Sequence, residues 1–326
     1  NALNMLGVAY FKKGNIKSSI SYYSKAIKLN PHNDKIYNNL AIAYSKSGNL
    51  EAALTIYLKA LKIDSKSFST LFNLGRIYQQ KGDLEKALQT FEKILKLKDI
   101  NSLDLVFNEI GITLQKKEDF HSAIKAYLKA IKVNKNYIQS YNNLGYAQFE
   151  MEDFDAATSS FLEAIKLNPK NAIARKNLGK IYLLQGNYKE GLKNYEYRHE
   201  HSSIRILPHA SPKIPFWNGE DSERPDKLLV VSEQGLGDTL QFMRFLPLLR
   251  KKDQKVYFCA QEKLHGIIKN SQIDLDPLSP NKANKFSEGK WIPLLSLPKI
   301  LNICPDNQLI KAPYIYSDEN LIYKWK

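Results

Sequence analysis

The first 200 residues of this 326-residue chain repeat themselves, and that period restricts the possible folds more than any other feature. Gly7, Ala41, Gly75, Gly111, Gly145 and Gly179 recur at spacings of 34, 34, 36, 34 and 34. An apolar residue precedes each: Leu6, Leu40, Leu74, Ile110, Leu144 and Leu178. A second small-residue column runs Ser19, Ala53, Ala87, Ala123, Ala157 and Gly191. Four positions after each of these stands an aromatic ring: Tyr23, Tyr57, Phe91, Tyr127, Phe161 and Tyr195. The two halves of each unit are separated by turn chemistry, Gly14-Asn15, Gly48-Asn49, Gly82-Asp83, Glu118-Asp119, Glu152-Asp153 and Gly186-Asn187. Small residues at fixed columns let two helices approach closely, and the rings fill the gaps between neighbours. Residues 1–200 are therefore expected to form six helix-turn-helix units, an α solenoid.

This period and column pattern resemble the tetratricopeptide repeat over all six units. The departures are local. Lys98–Asn101 absorbs two extra residues between units three and four, and the terminal proline survives only at Pro31 and Pro169. In the sixth unit Arg198 stands where a small residue is expected, which suits an array that ends against something else. Such arrays present a groove lined by the first helix of each repeat. One column of that helix reads Asn39, Asn73, Glu109, Asn143 and Asn177, and the column before it holds Asn4, Asn38, Asn108 and Asn142. Asparagine carries donors and an acceptor, so a ladder of them can hold an extended peptide backbone without reading its sequence. The arrangement is similar to the asparagine ladder of protein O-linked N-acetylglucosamine transferases, which implies a protein or glycan partner in the groove. The competing reading is a solvated column with no ligand.

His199–Lys227 breaks the pattern with Pro208, Pro212, Pro215 and Pro225 and reads as a connector, with the boundary of the next domain at 226/227. Phe216 and Trp217 inside it are expected to pin it across the junction. Leu228–Val231 is an apolar run suited to a strand buried on both faces. Glu233, Gln234, Gly235 and Gly237 then form a tight turn, in which the glycines are expected to supply the backbone freedom. Leu240, Phe242, Met243, Phe245, Leu246 and Leu249 follow at helical spacing. Further strands are expected at Lys255–Ala260, Ile273–Leu275 and Trp291–Leu295, with short helices at Gln261–Asn270 and from Ser296. Alternating strands and helices point to a parallel α/β sheet.

Phe216–Glu220, Glu233–Phe242 (EQGLGDTLQF), Arg244–Leu249, Leu294–Pro298 and Pro313-Tyr314 occur in an order that looks like bacterial tetratricopeptide proteins carrying a heptosyltransferase-related glycosyltransferase domain. The resemblance implies a Rossmann-like, acceptor-side lobe over residues 227–326, the N-terminal half of a GT-B fold. It also implies a nucleotide-sugar donor, with the lobe that binds it expected beyond this sequence, so that these 326 residues alone are expected to be inactive. Asp238 would be the general base for an acceptor hydroxyl. Glu233, Gln234, Gly235, Gly237, Thr239 and Gln241 would surround the substrate, although a structural carboxylate is an equally good reading of Glu233. A structural job competes for Asp238, because Asp238-Thr-Leu-Gln241 also fits a capping box with the aspartate at the N-cap.

Composition narrows the remaining classes. With 48 basic and 33 acidic residues the formal charge is +15, but the lysines are dispersed along the helices, which favours solvated faces over a nucleic-acid module. No stretch reaches the ~20 apolar residues of a membrane span, so at most peripheral membrane association is expected. Cys259 and Cys304 lie far apart in apolar company, as expected of thiols in a reducing, cytoplasmic setting. No signal peptide is visible, although the chain begins mid-pattern without a methionine, so one could have preceded it. The six histidines show no metal spacing beyond His199-x-His201, a pair in the connector expected to be solvated, and no P-loop or resident cofactor is expected. The leading reading is a repeat-tethered glycosyltransferase, and the alternative is a non-catalytic scaffold for protein partners.

Overall fold

The computed structural model describes residues 2–98, 100–199, 208–219, 225–250, 255–304 and 314–316. Twelve helices span the repeat region. They are α1 (Ala2–Lys12), α2 (Ile16–Leu29), α3 (Asp34–Lys46), α4 (Leu50–Ile63), α5 (Phe68–Lys81), α6 (Leu84–Leu95), α7 (Leu103–Lys116), α8 (Phe120–Val133), α9 (Ile138–Glu150), α10 (Phe154–Leu167), α11 (Ala172–Leu184) and α12 (Tyr188–Tyr195). They form two compact units with the rest of the chain, residues 1–169 and 170–326. The first holds five helix pairs. The sixth pair, α11 and α12, groups instead with the α/β elements, so the boundary lies about thirty residues before the end of the repeat signature.

Four of the six pairs are locked by a ring laid on a glycine. A Cβ added at Gly7 would meet the Tyr23 ring at 2.5 Å, one at Gly75 the Phe91 ring at 2.5 Å, and one at Gly145 the Phe161 ring at 2.8 Å. Those distances are far inside van der Waals contact, so the first column must stay small wherever the ring is seated this way. The second column is fully buried beneath it: Ala53, Ala87, Ala123 and Ala157 are all 0% exposed.

The turn dipeptides do two separate jobs. The first residue takes the left-handed conformation, with φ of 78° at Gly14, 84° at Gly48, 80° at Gly82 and 80° at Gly186. The second is the N-cap of the following helix. Asn15, Asn49 and Asp153 accept the N–H of Ser18, Ala52 and Ala156 at 3.0, 3.0 and 3.1 Å. Repeats four and five keep the cap but place Glu118 (φ 62°) and Glu152 (φ 59°) in the left-handed position. An L residue with a Cβ there costs about 1–2 kcal/mol.

In residues 170–326 the strands β1 (Lys227–Val231), β2 (Lys255–Cys259) and β3 (Lys290–Pro293) form a parallel sheet in the order β2-β1-β3. The register pairs Val230 with Phe258 and Ile292. Leu228, Leu229, Val230 and Val231 are all 0% exposed, as a central parallel strand requires. Short helices α13 (Leu236–Phe242), α14 (Leu246–Arg250), α15 (His265–Asn270), α16 (Pro280–Ala283) and α17 (Leu297–Ile300) connect and cover the strands. Ile273–Leu275 is not a strand: Ile273 is buried in the core, but Leu275 is 76% exposed and the segment is a turn. The sheet is small, and three strands do not by themselves make a Rossmann lobe.

The described part of the connector, residues 208–219, is built into this unit. Trp217 N–H donates to the Trp291 carbonyl at 2.8 Å and Trp291 N–H to the Pro215 carbonyl at 2.9 Å, so the segment runs beside β3. Trp217, 1% exposed, joins the core with Leu228, Val230 and Leu297, and Tyr195 packs against the same cluster. The expected pinning by aromatics is therefore done by Trp217, while Phe216 stacks edge-on against Trp291 at 5.4 Å near the surface.

Replacing Glu118 and Glu152 by glycine should relieve the left-handed strain, offset in part by glycine's larger chain entropy when unfolded. A gain of about 0.5–1 kcal/mol per site, read from urea midpoints of the full chain, is expected. An unchanged or lower midpoint would show that these turns are not strained.

Candidate functional site

Two places carry the residues expected to bind ligands: the face of the first helices in residues 1–169, and the turn after β1 in residues 170–326.

On the repeat face the asparagines mostly bind one another. Asn39 donates to Asn4 at 3.2 Å, Asn73 to Asn38 at 3.2 Å and Asn143 to Asn108 at 3.0 Å. Asn108 also accepts from Ser140 at 3.1 Å. Asn38, Asn108 and Asn142 are nearly buried (8%, 3% and 8% exposed), so they cannot grip a peptide and serve as spacers between repeats. This corrects the expectation that both columns line a groove. Asn4, Asn39, Asn73, Asn143 and, in the sixth pair, Asn177 are half-exposed. An amide that gives one N–H to its neighbour still has a second N–H and a carbonyl to offer. Where the ladder is interrupted, burial raises the Glu109 carboxyl above its usual range, against the pull of Arg76 at 3.7 Å. A recess of about 400 Å³ opens beside Asn73, lined by Phe11, Ile42, Lys46, Arg76, Ile77 and Gln80 from α1, α3 and α5.

The turn after β1 differs from its expected construction. Gly235 has φ −83° and Gly237 has no positive φ; the left-handed residue is Gln234, at φ 63°. Gly235 is itself the N-cap of α13, and Asp238 is three residues inside the helix. Its Oδ2 reaches back to accept the Gly235 N–H at 3.0 Å. Only the inner arm of a capping box exists, supplied by Asp238, because the N-cap is Gly235 and not Asp238, and glycine has no side chain to accept a bond in return. Thr239 is buried, with its hydroxyl donating to Gln261 Oε1 at 2.9 Å, whereas Gln241 is exposed on the far side of the turn. Among the described residues no cluster of histidine, cysteine and carboxylate could hold a metal ion, and Pro313 lies outside them.

Glu233 is the largest departure. Expected at the substrate, it is 0% exposed and bound to Arg198, which is 1% exposed. Arg198 Nη2 donates to Glu233 Oε1 at 2.8 Å and Nε to Oε2 at 3.3 Å, a bidentate pair. The remaining N–H groups go to Glu196 Oε1 (2.7 Å), the Tyr195 carbonyl (3.3 Å) and Ser296 Oγ (2.9 Å). All five guanidinium donors are thus engaged. The Leu295 N–H supplies Glu233 with a further bond at 3.2 Å. Burial pushes the Glu233 carboxyl upward, while Arg198 and that N–H pull it down. His199 lies 3.7 Å from Glu233, but burial holds its imidazole far below the usual value, at about 3, so the contact is not an ion pair. The His199-x-His201 spacing therefore does not mark a solvated pair: His199 is largely buried, and His201 is outside the described residues.

One residue at this turn carried no signal in the sequence. His209, in the connector, bridges the ends of β1 and β2 through its ring nitrogens: Nδ1 lies 2.9 Å from Ser232 Oγ and Nε2 3.3 Å from Gln261 Nε2. A lone histidine in a proline-rich stretch has no spacing from which this could be read.

Removing one partner of the buried pair should be expensive. Arg198→Met or Glu233→Leu is each expected to destabilise by about 3–5 kcal/mol, because the other charge is left buried. The double variant should lose less than the sum of the two. Thermal and urea melts of the three proteins measure this, and additive losses would show the pair to be uncoupled.

Profiles of the tetratricopeptide repeat match residues 33–99, residues 7–48 and 111–152, and residues 142–200. Solved structures that resemble the chain include pilF of Pseudomonas aeruginosa, 17% identical over 62% of this chain and 92% of that one, with a TM-score of 0.55. A tetratricopeptide repeat protein from Parabacteroides merdae is 20% identical over 62% and 80%, with a TM-score of 0.53. The APC/C Cut9–Hcn1 hetero-tetramer gives 19% identity over 63% and 40%, with a TM-score of 0.53. At these identities the likeness concerns the fold alone. No curated protein matches the sequence. On the six units of residues 7–200, their columns and their helices, the chain is a tetratricopeptide-repeat protein.

Proposed function

We propose that the chain is an interaction scaffold whose repeat face receives an extended, acidic segment of a protein partner. The observation that carries this reading is the recess beside Asn73. Its lining comes from the first helices of three successive repeats with Tyr57 of α4, it combines apolar Phe11, Ile42 and Ile77 with cationic Lys46 and Arg76, and its Asn73 amide is only partly spent. Apolar pockets flanked by cations suit alternate side chains of an extended acidic peptide. Selection of a displayed random peptide library on the full chain should enrich acidic segments with interspersed apolar residues. Lys46→Glu, at an exposed cation of the same recess, should weaken that enrichment while leaving the melting temperature within about 2 °C, as for a surface change. Selection that ignores charge, or survives Lys46→Glu unchanged, would contradict the reading.

A second reading adds to the first. The EQGLGDTLQF turn stands at the carboxyl end of the central strand of a parallel sheet, where open α/β sheets receive ligands, beside a cavity of about 640 Å³. This supports the proposal that residues 170–326 include the acceptor side of a glycosyltransferase in the cytoplasm, using a nucleotide-sugar donor and a glycan or protein acceptor. Asp238 is then the proton acceptor, which requires its carboxylate to leave the Gly235 N–H when acceptor arrives. Sugar transfer from nucleotide-sugar donors by the complete gene product tests it. Asp238→Asn can still accept the Gly235 N–H but cannot take a proton, so turnover should fall by roughly 10²–10⁴ with the fold intact. Near-normal turnover in that variant would leave Asp238 a cap only.

A further inference from the structure

The cavity at the carboxyl edge of the sheet is lined by His209, Gln234, Leu236, Gln261, Glu262 and Lys263, with Pro280 and Asn281 at its rim. Its polar wall is ordered by a chain of hydrogen bonds. The Thr239 hydroxyl lies 2.9 Å from Gln261 Oε1 and 3.3 Å from the Gly235 carbonyl; with its one proton on the nearer Gln261 Oε1, the Gln261 amide nitrogen faces His209 Nε2 at 3.3 Å. A nitrogen facing an amide N–H₂ must be the acceptor, so Nε2 is the unprotonated atom of the ring. The proton sits on Nδ1, which donates to Ser232 Oγ at 2.9 Å. On the opposite wall Gln234 Nε2 donates to Tyr195 Oη at 3.1 Å.

Each amide is therefore half used. Gln261 keeps one N–H and one lone pair, and Gln234 keeps one N–H and its carbonyl. A wall that offers donors and acceptors in equal number matches hydroxyl groups, which are both. It does not match a carboxylate or phosphate, which only accepts and would face the spare lone pairs. The charged residues described around the cavity, exposed Glu262 and Lys263, offset one another. Leu236, 44% exposed, and Pro280 supply an apolar surface for the C–H face of a ring.

We propose that this cavity is a subsite for an uncharged saccharide, gripped by the side-chain amides of Gln261 and Gln234, with His209 as the positioning residue that orients Gln261. The inference rests on the acceptor-side reading above and narrows it to neutral sugars.

The test is saturation-transfer NMR on the full chain, with dissociation constants from titration. The probes are methyl glucoside, methyl galactoside, methyl N-acetylglucosaminide and methyl glucuronide at pH 7.5. At least one neutral glycoside should bind, with the glucuronide at least tenfold weaker. Gln261→Leu and Gln234→Asn should each lose tenfold or more with melting temperatures near that of the parent. Gln234→Asn keeps a residue tolerant of the left-handed backbone. His209→Ala should weaken binding, and His209→Gln, whose carbonyl can take the place of Nε2, should recover part of it. A purely structural role would give no such recovery. Glucuronide binding equal to or tighter than the neutral glycosides overturns the inference and leaves the acceptor-side reading standing. Unchanged binding of neutral glycosides in Gln261→Leu and Gln234→Asn also overturns it, because the sugar then sits elsewhere. No binding of any of the four overturns the inference, whereas the acceptor-side reading, whose acceptor is a glycan or a protein, falls only if sugar transfer fails.

Discussion

The bidentate pair between Arg198 and Glu233 is the contact on which residues 170–326 depend. One partner comes just after the last repeat helix and the other just after the central strand, and both are removed from water. Desolvating two charges costs several kcal/mol each unless geometry and further hydrogen bonds restore what water supplied. Here they do, because every donor of Arg198 is taken and Glu233 also receives the Leu295 N–H. The arrangement also fixes the backbone immediately before the Gln234–Asp238 turn. Tyr195, packed against the Arg198 guanidinium at 4.9 Å, bonds the Gln234 side chain, so one end of the sixth repeat holds two consecutive residues of the turn.

The same pair explains why a repeat signature and a structural unit end in different places. The repeat columns run to Tyr195 because α11 and α12 still need small residues where their backbones approach: a Cβ at Gly179 would meet the Tyr195 backbone nitrogen at 2.7 Å and the Gly191 carbonyl oxygen at 2.9 Å. Beyond α12 the described residues form no seventh helix pair; a buried arginine facing a carboxylate, a core tryptophan and a sheet stand there instead. The sixth pair is thus a repeat by its internal packing and part of the α/β unit by its outer surface.

The array was largely legible because its constraints are steric and periodic. A glycine under a ring and a cap before each second helix leave marks at every turn of the pattern, and even Glu118 and Glu152 show up as substitutions in an established column. The three strands were legible from continuous apolar runs, but Ile273–Leu275 was not told from a buried turn, since three apolar or acidic residues carry no period. The site was less legible because burial and bonding partners lie far apart in sequence. Glu233 reads equally as a substrate contact or a structural carboxylate until Arg198, 35 positions earlier, is placed beside it. Asparagines read as a ligand ladder until each is seen to donate to the one 35 positions before it. Gln234, not a glycine, turns the chain, because the side-chain bond to Tyr195 helps hold a conformation its own backbone disfavours.

The central claim is that the last repeat and the α/β elements unfold as one cooperative body, distinct from the first five repeats. Native-state hydrogen exchange of the full chain measures this directly, residue by residue. The account predicts that the slowest amides of α11 and α12 share a single opening free energy with those of β1, and a different one from the amides of α3 to α8. Exchange of α11 and α12 in step with the preceding repeats, while β1 opens separately, would contradict it.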